Sequence, residues 1–122
     1  MKPDLVNAVL NSSTELAIIA TSSEGVIEVF NRGAELMLGY SAEEMVGKMT
    51  PAIFHDESEV KAYASVLSAK YSQEISGFRV FVHEPERQGQ ECRMWTYIRK
   101  NNSRLTVNLT ITPMRNETNE LI

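Results

Sequence analysis

Residues Leu16–Tyr40 read LAIIATSSEGVIEVFNRGAELMLGY, and the reading of this stretch decides the fold. It divides into strand, tight turn, strand and helix. The apolar run Leu16–Ala20 meets the polar turn Thr21-Ser22-Ser23-Glu24-Gly25, and β-branched residues resume from Val26 to Phe30. Gly25 has no Cβ and enters φ > 0 cheaply, as a tight reversal requires. Asn31 stands where a helix would begin, with a side-chain oxygen able to accept from the first free amides. Ala34, Leu36/Met37 and Leu38 form a short apolar stripe, and Gly39 ends it.

On the N-terminal side, Asp4–Leu10 is a short helical candidate, with Leu5, Val6, Val9 and Leu10 on adjoining turns. On the other side, Ser41-x-x-Glu44 spells a capping box for a short helix closed by Gly47. Thr50-Pro51 opens one further turn through Ile53 and Phe54. Asp56-x-x-Glu59 is a third capping signal, and it starts the longest helix, to about Tyr71, with inner stripe Val60, Tyr63/Ala64, Leu67 and Tyr71.

From Ile75 to Gly89 the pattern is ambiguous. Phe78, Val80, Phe81 and Val82 suit a strand or a short helix, Pro85 and Gly89 bracket a polar loop, and His83, in a charged loop with Glu84 and Glu86, reads as solvated. Two alternating runs follow. Cys92, Met94, Thr96 and Ile98 oppose Arg93, Trp95, Tyr97 and Arg99; Leu105, Val107, Leu109 and Ile111 oppose Thr106, Asn108, Thr110 and Thr112. Asn101-Asn102 between them suits a hairpin turn. Asn116–Asn119 reads as one more turn before Leu121-Ile122.

The order Gly25-x-Ile27, Asn31, Ala34-Glu35-x-x-Leu38-Gly39-Tyr40, then Ser41–Lys48, then Trp95-Thr96-Tyr97-Ile98-Arg99-Lys100 resembles a PAS sensor domain. No single motif is specific; their order and spacing are, and they span nearly the whole chain. The resemblance implies an α+β fold: one curved antiparallel sheet of five strands, its last strand central beside the first, with several short helices on one face. It also implies a leading helix or linker at 1–12 and the PAS domain at 13–122. Four strands are readable, so the chain is expected to stop before or within the last. The slot left would be closed by an altered sheet, a strand from a neighbouring molecule or a shifted register.

A chain of 122 residues, 43% hydrophobic and 23% charged, is one globular domain with a single core. The net charge of −4 argues against a nucleic-acid partner. No apolar run approaches the roughly 20 residues that cross a bilayer. The N-terminus lacks signal-peptide anatomy, and a lone Cys92 suits the cytoplasm.

Chemistry is sparse. No nucleophile–base–orienter set assembles, and two histidines make no metal cluster. His55 is the haem candidate, but it precedes the long helix instead of projecting from it as haem-binding relatives require. Trp95 is the flavin candidate, against its reading as an aromatic on the sheet's outer face. Cys92 lies outside any flavin-adduct motif and reads as a small buried hydrophobe. No cofactor is expected.

What remains is an apolar pocket for a small organic ligand, or the same lining as a filled core. Its candidates are Ile18, Ala20, Leu38, Met45, Ile53, Tyr63, Leu67, Met94, Ile98, Val107 and Leu109, uncertain by one residue on each strand. The resemblance implies a cytoplasmic sensory or regulatory module of a bacterial-type signalling protein. It would form a homodimer through the leading helix and outer sheet face. The effector, elsewhere in the full-length chain, would be a histidine kinase, a diguanylate cyclase or a transcription regulator. The rival is a ligand-free structural dimerisation module.

Overall fold

The computed structural model describes residues 16–114 together with Leu5, Ala8, Val9 and Ser12. Those four are helical and exposed. The rest of the expected leading helix, the Asn116–Asn119 turn and Leu121-Ile122 lie outside the described residues. The chain divides into two compact units: residues 1–54 with the hairpin tip 98–103, and residues 55–97 with 104–122.

In the first unit, β1 (Ile19–Thr21) pairs antiparallel with β2 (Ile27–Phe30), Ile19 opposite Phe30 and Ala20 opposite Val29, with a bulge after Ala20. Gly25 (φ 94°) makes the reversal, closed by Ser22 N–H to the Val26 carbonyl at 2.8 Å. β1 is shorter than the expected run from Leu16, and the reason is Asn31. Its Oδ1 accepts from Ile18 N–H (2.8 Å) and its Nδ2 donates to the Leu16 carbonyl (2.9 Å), so a side chain replaces the ladder there. The same Oδ1 accepts from Ala34 N–H at 2.9 Å and starts α1 (Arg32–Leu38), which Gly39 (φ 83°) ends.

The Ser41–Glu44 capping box forms as read and opens α2 (Ala42–Met45). The loop after it is pinned to β2 at Ile27, which donates to the Met49 carbonyl (2.9 Å) and accepts from Gly47 N–H (2.7 Å). A 3-10 turn, Pro51–Phe54, follows. It buries Phe54 and leaves Ile53 39% exposed, so Ile53 is not a lining residue.

The second unit holds α3 (Glu57–Tyr71), α4 (Arg79–Gln88), β3 (Glu91–Ile98) and β4 (Arg104–Ile111), with only Ile98 assigned to the first unit. Asp56 caps α3 by accepting from Ser58 N–H at 2.9 Å, and the helix faces Val60, Tyr63, Ala64, Leu67 and Tyr71 inward as expected. The ambiguous segment is a helix, and Pro85 lies within it. Val80, Phe81, His83, Glu84 and Pro85 are buried, which corrects both the polar loop and the solvated His83. The Val80–Phe81 pair drives this outcome: burying two large apolar side chains outweighs the one i→i−4 bond that Pro85 cannot make.

β4 alternates as read, with Leu105, Val107, Leu109 and Ile111 half-buried and the threonines and Asn108 exposed. β3 alternates in the opposite phase. Trp95 and Tyr97 are each 4% exposed while Met94 is 68% exposed, so Met94 faces away from the interior and Cys92 is exposed beside it. Two ring systems hide far more apolar area than a cysteine and a methionine, and a period of two forces the choice.

β1 pairs with β2 and β3 with β4, so the described strands form two separate two-stranded sheets instead of one curved sheet.

Asn31→Ala is expected to cost about 2–4 kcal/mol in urea or thermal unfolding, since it removes a helix cap and strands two strand-entry backbone groups. Asn31→Ser restores only the cap and should recover about 1 kcal/mol of that. Full recovery by serine would show that the Leu16 and Ile18 bonds carry nothing.

Candidate functional site

In the second unit the entry to α3 is tied along the edge of β3. His55 forms an antiparallel bridge with Tyr97, and Asp56 N–H donates to the Thr96 carbonyl at 3.2 Å. Glu59 takes the rest: its Oε1 accepts from Thr96 N–H (2.7 Å) and its Oε2 from the Thr96 hydroxyl (2.8 Å). Glu59, read as half of a capping signal, serves the strand instead of the helix end. A strand edge that would otherwise offer bare backbone is thereby occupied.

The inward face of β3 carries a ring cluster. His55 lies 4.3 Å from Phe81, 4.8 Å from Tyr97 and 5.4 Å from Trp95, centroid to centroid. Phe81 and Tyr63 in turn contact Trp95 at 5.5 and 5.8 Å, both edge-on. Burial pushes the Tyr97 phenol well above its ordinary range. Burial, then the hydrogen bond to Glu91 (2.9 Å), pushes Tyr63 up to about 12, and the Arg93 guanidinium sits 3.7 Å over its ring. Both phenols therefore stay protonated, as donors.

A second polar cluster joins α3 to α4. The Glu84 carboxylate, 6% exposed, accepts from the Tyr71 hydroxyl, from Lys70 Nζ at 2.9 Å and from Gln88 Nε2 at 3.1 Å. In the first unit the hairpin tip caps the C-terminus of α1, where free carbonyls attract cations. Arg99 Nε donates to the Met37 carbonyl (3.1 Å), Lys100 N–H to that of Leu38 (3.0 Å), and Lys100 Nζ pairs with Glu44. Arg99 and Lys100 at the hairpin tip are thus partly committed to a helix end.

Of the lining candidates in the first unit, Leu38 and Met45 are buried, Ile18, Ala20 and Ile98 half-buried, and Ile53 exposed. In the second, Leu67 is buried, Tyr63, Val107 and Leu109 half-buried, and Met94 exposed. The residues that sequence reasoning missed are Phe81 and the Trp95–Tyr97 pair as an inward face. The signal available was the weight of the two aromatics against their strand neighbours.

Among the described residues, no three His, Cys, Asp or Glu side chains converge to hold a metal ion. His55 and Trp95, the haem and flavin candidates, both pack against protein rings. Cys92 donates from Sγ to Asn108 Oδ1 at 2.9 Å on the exposed face. No described helix is long and apolar enough to cross a membrane.

The family model for the PAS domain matches residues 15–122. The crystal structure of the PAS domain of a protein from Colwellia psychrerythraea is 18% identical, covers 98% of this chain and 87% of its own, and superposes with a TM-score of 0.72. An RNA-binding light-oxygen-voltage receptor is 15% identical with a TM-score of 0.70; this chain is matched over 98% of its length and spans 30% of that one. The PAS domain of an HTR-like protein from Haloarcula marismortui is 16% identical, with coverages of 95% and 82% and a TM-score of 0.58. None of the curated proteins compared matches.

The Ser58 bonds and Arg104, 2.7 Å away, hold the Asp56 carboxyl at about 2 against an ordinary 3.8. The folded value is the depressed one, so the contribution of the carboxylate's contacts to Ser58 and Arg104 is present above pH 3.8 and is lost as pH falls towards 2. A carboxyl NMR titration of Arg104→Ala should return part of that shift. An unchanged midpoint would show that the Ser58 bonds alone set it. Separately, a double-mutant cycle of Glu59→Ala and Thr96→Val should show coupling of about 1 kcal/mol.

Proposed function

Because the chain belongs to the PAS domain family, we propose that it is the sensory or regulatory module of a signal-transduction protein. It passes a change in helix–strand packing to an effector elsewhere in the full-length chain. The observation that carries this reading is the tie between α3 and β3: His55, Asp56 and Glu59 hold the strand edge while His55 and Phe81 meet its rings. A stimulus that displaces those rings bears on the start of α3, because His55 serves both contacts. PAS domains are in general non-catalytic sensory modules, and we assign no catalysis to this one.

The stimulus on this reading is a small, largely apolar organic molecule. Apolar side chains would bury it, and the Arg93 guanidinium and the Tyr63–Glu91 pair at the edge of the ring cluster supply the polar groups beside it. Neither flavin nor haem is assigned, since Trp95 and His55 are both committed to ring packing. The RNA binding named for the light-oxygen-voltage receptor is not carried over, because a chain of net charge −4 is a poor phosphate partner. One observation favours a second reading, a ligand-free dimerisation module: the inward face of β3 is already covered by side-chain rings in mutual contact.

Native mass spectrometry and an absorption spectrum of the full-length protein separate these readings. A co-purifying mass of a few hundred daltons with a featureless visible spectrum is the expected result. A bare dimer that takes up no small molecule from a metabolite extract supports the second reading. A flavin or Soret band overturns the assignment of no cofactor.

A further inference from the structure

Helix α4 buries an imidazole. His83 is 2% exposed, its ring edge-on to Tyr71 of α3 with centroids 4.4 Å apart. Arg87 Nη1 lies 3.4 Å from His83 Nδ1. A guanidinium can only donate, so Nδ1 accepts and the neutral ring carries its proton on Nε2. Among the described residues Nε2 meets no hydrogen-bond partner. The Arg87 guanidinium also lies 4.9 Å over the Tyr71 ring, so the tyrosine, the histidine and the arginine form one contact between α4 and α3.

We propose that His83 is an acid-released latch: its protonation sets a second positive charge against Arg87 where both pack on the Tyr71 ring, and so frees the second half of α4 from α3. A proton on Nδ1 turns the acceptor into a donor that faces a donor. It also buries a positive charge beside a second one, at a site whose only free nitrogen has no acceptor.

The surrounding charges do not compensate. On α4 itself, Arg79 is held by Glu86 through two bonds of 2.9 and 2.8 Å, and Glu84 is committed to Tyr71, Lys70 and Gln88. On α3, Tyr71 and Lys70 face the histidine's side of the helix and both already spend their polar atoms on Glu84. β4, which also packs on α4, has no titratable side chain from Leu105 to Ile111. Arg87 pairs with no carboxylate among the described residues. Burial first, then Arg87 and Arg79, lower the His83 titration, against a weaker opposite pull from Glu84 and Glu86.

The unfolded histidine takes its proton near 6.5 and the folded one below that. The latch is therefore intact above pH 6.5 and is lost as pH falls through the folded value.

Hydrogen exchange on the full chain, wild type against His83→Gln, tests this at about pH 7.5 and about pH 5.5. Taking the ratio at each pH cancels the intrinsic dependence of exchange. The amides of 79–88 should exchange about tenfold faster in the wild type at the lower pH and equally at the higher, with β2 and α1 unchanged in both. A ratio that is the same at both pH values, or an acid effect equal in both proteins, overturns the proposal. If the variant does not fold, the His83 ring NMR titration of the wild type decides. A midpoint below 6.5 with the α4 amides tracking it is expected; a midpoint at or above 6.5, or α4 amides that follow His55, overturns it.

Discussion

A two-stranded antiparallel ribbon is marginal in water, because one pair of strands leaves two bare edges and two half-covered faces. The described residues build two such ribbons, and each is made tenable by a polar side chain that bonds backbone. In the first unit Asn31 takes an amide and a carbonyl of the strand entry and the first amide it can reach in α1. In the second, Glu59 takes the Thr96 amide and hydroxyl while Asp56 takes the Thr96 carbonyl through its own N–H. Both devices sit at the start of a helix. Within the first turn or at its cap a side chain reaches free amides of the helix and a neighbouring strand alike, so residues there can serve helix and strand together.

The same logic separates what was legible in the sequence from what was not. Asn31, the Ser41–Glu44 box and Asp56 could be read because capping depends on a spacing of a few residues and on no distant partner. The inner stripe of α3 and the alternation of β4 were readable for a like reason: a long run fixes its own phase. Glu59 was half legible. Its position relative to Asp56 fits a capping box, yet its partner is Thr96, far along the chain, and nothing local announces that.

β3 shows the other limit. Its alternation was plain, but which phase faces inward depends on what waits on the other side, and Phe81 and His55 are not neighbours in sequence. The α4 segment failed for a related reason. Pro85 and a run of charges argue for a loop, and only the burial of Val80 and Phe81, with Glu84 satisfied by Tyr71 and Lys70, makes a buried helix affordable there. Polar residues mislead when their partners are distant: His83 and Glu84 look solvated until α3 is placed beside them.

These ties also set how readily the packing can change. A side-chain-to-backbone bond contributes about 0.5–1.5 kcal/mol net, since water competes for both partners. The three bonds at Thr96 therefore amount to a few kcal/mol, which is the range that a ligand of ordinary differential affinity can supply. A tie built from the same area of apolar contact would be non-directional and would weaken gradually as the helix moved. Hydrogen bonds with angular demands instead fail together, because the carbonyl, amide and hydroxyl of one threonine are addressed by residues of one helix entry. A displacement of that entry by about an ångström takes all of them out of range at once. Loss of those bonds would leave the start of α3 released from β3, and two discrete arrangements of this kind are what a shift of populations acts on.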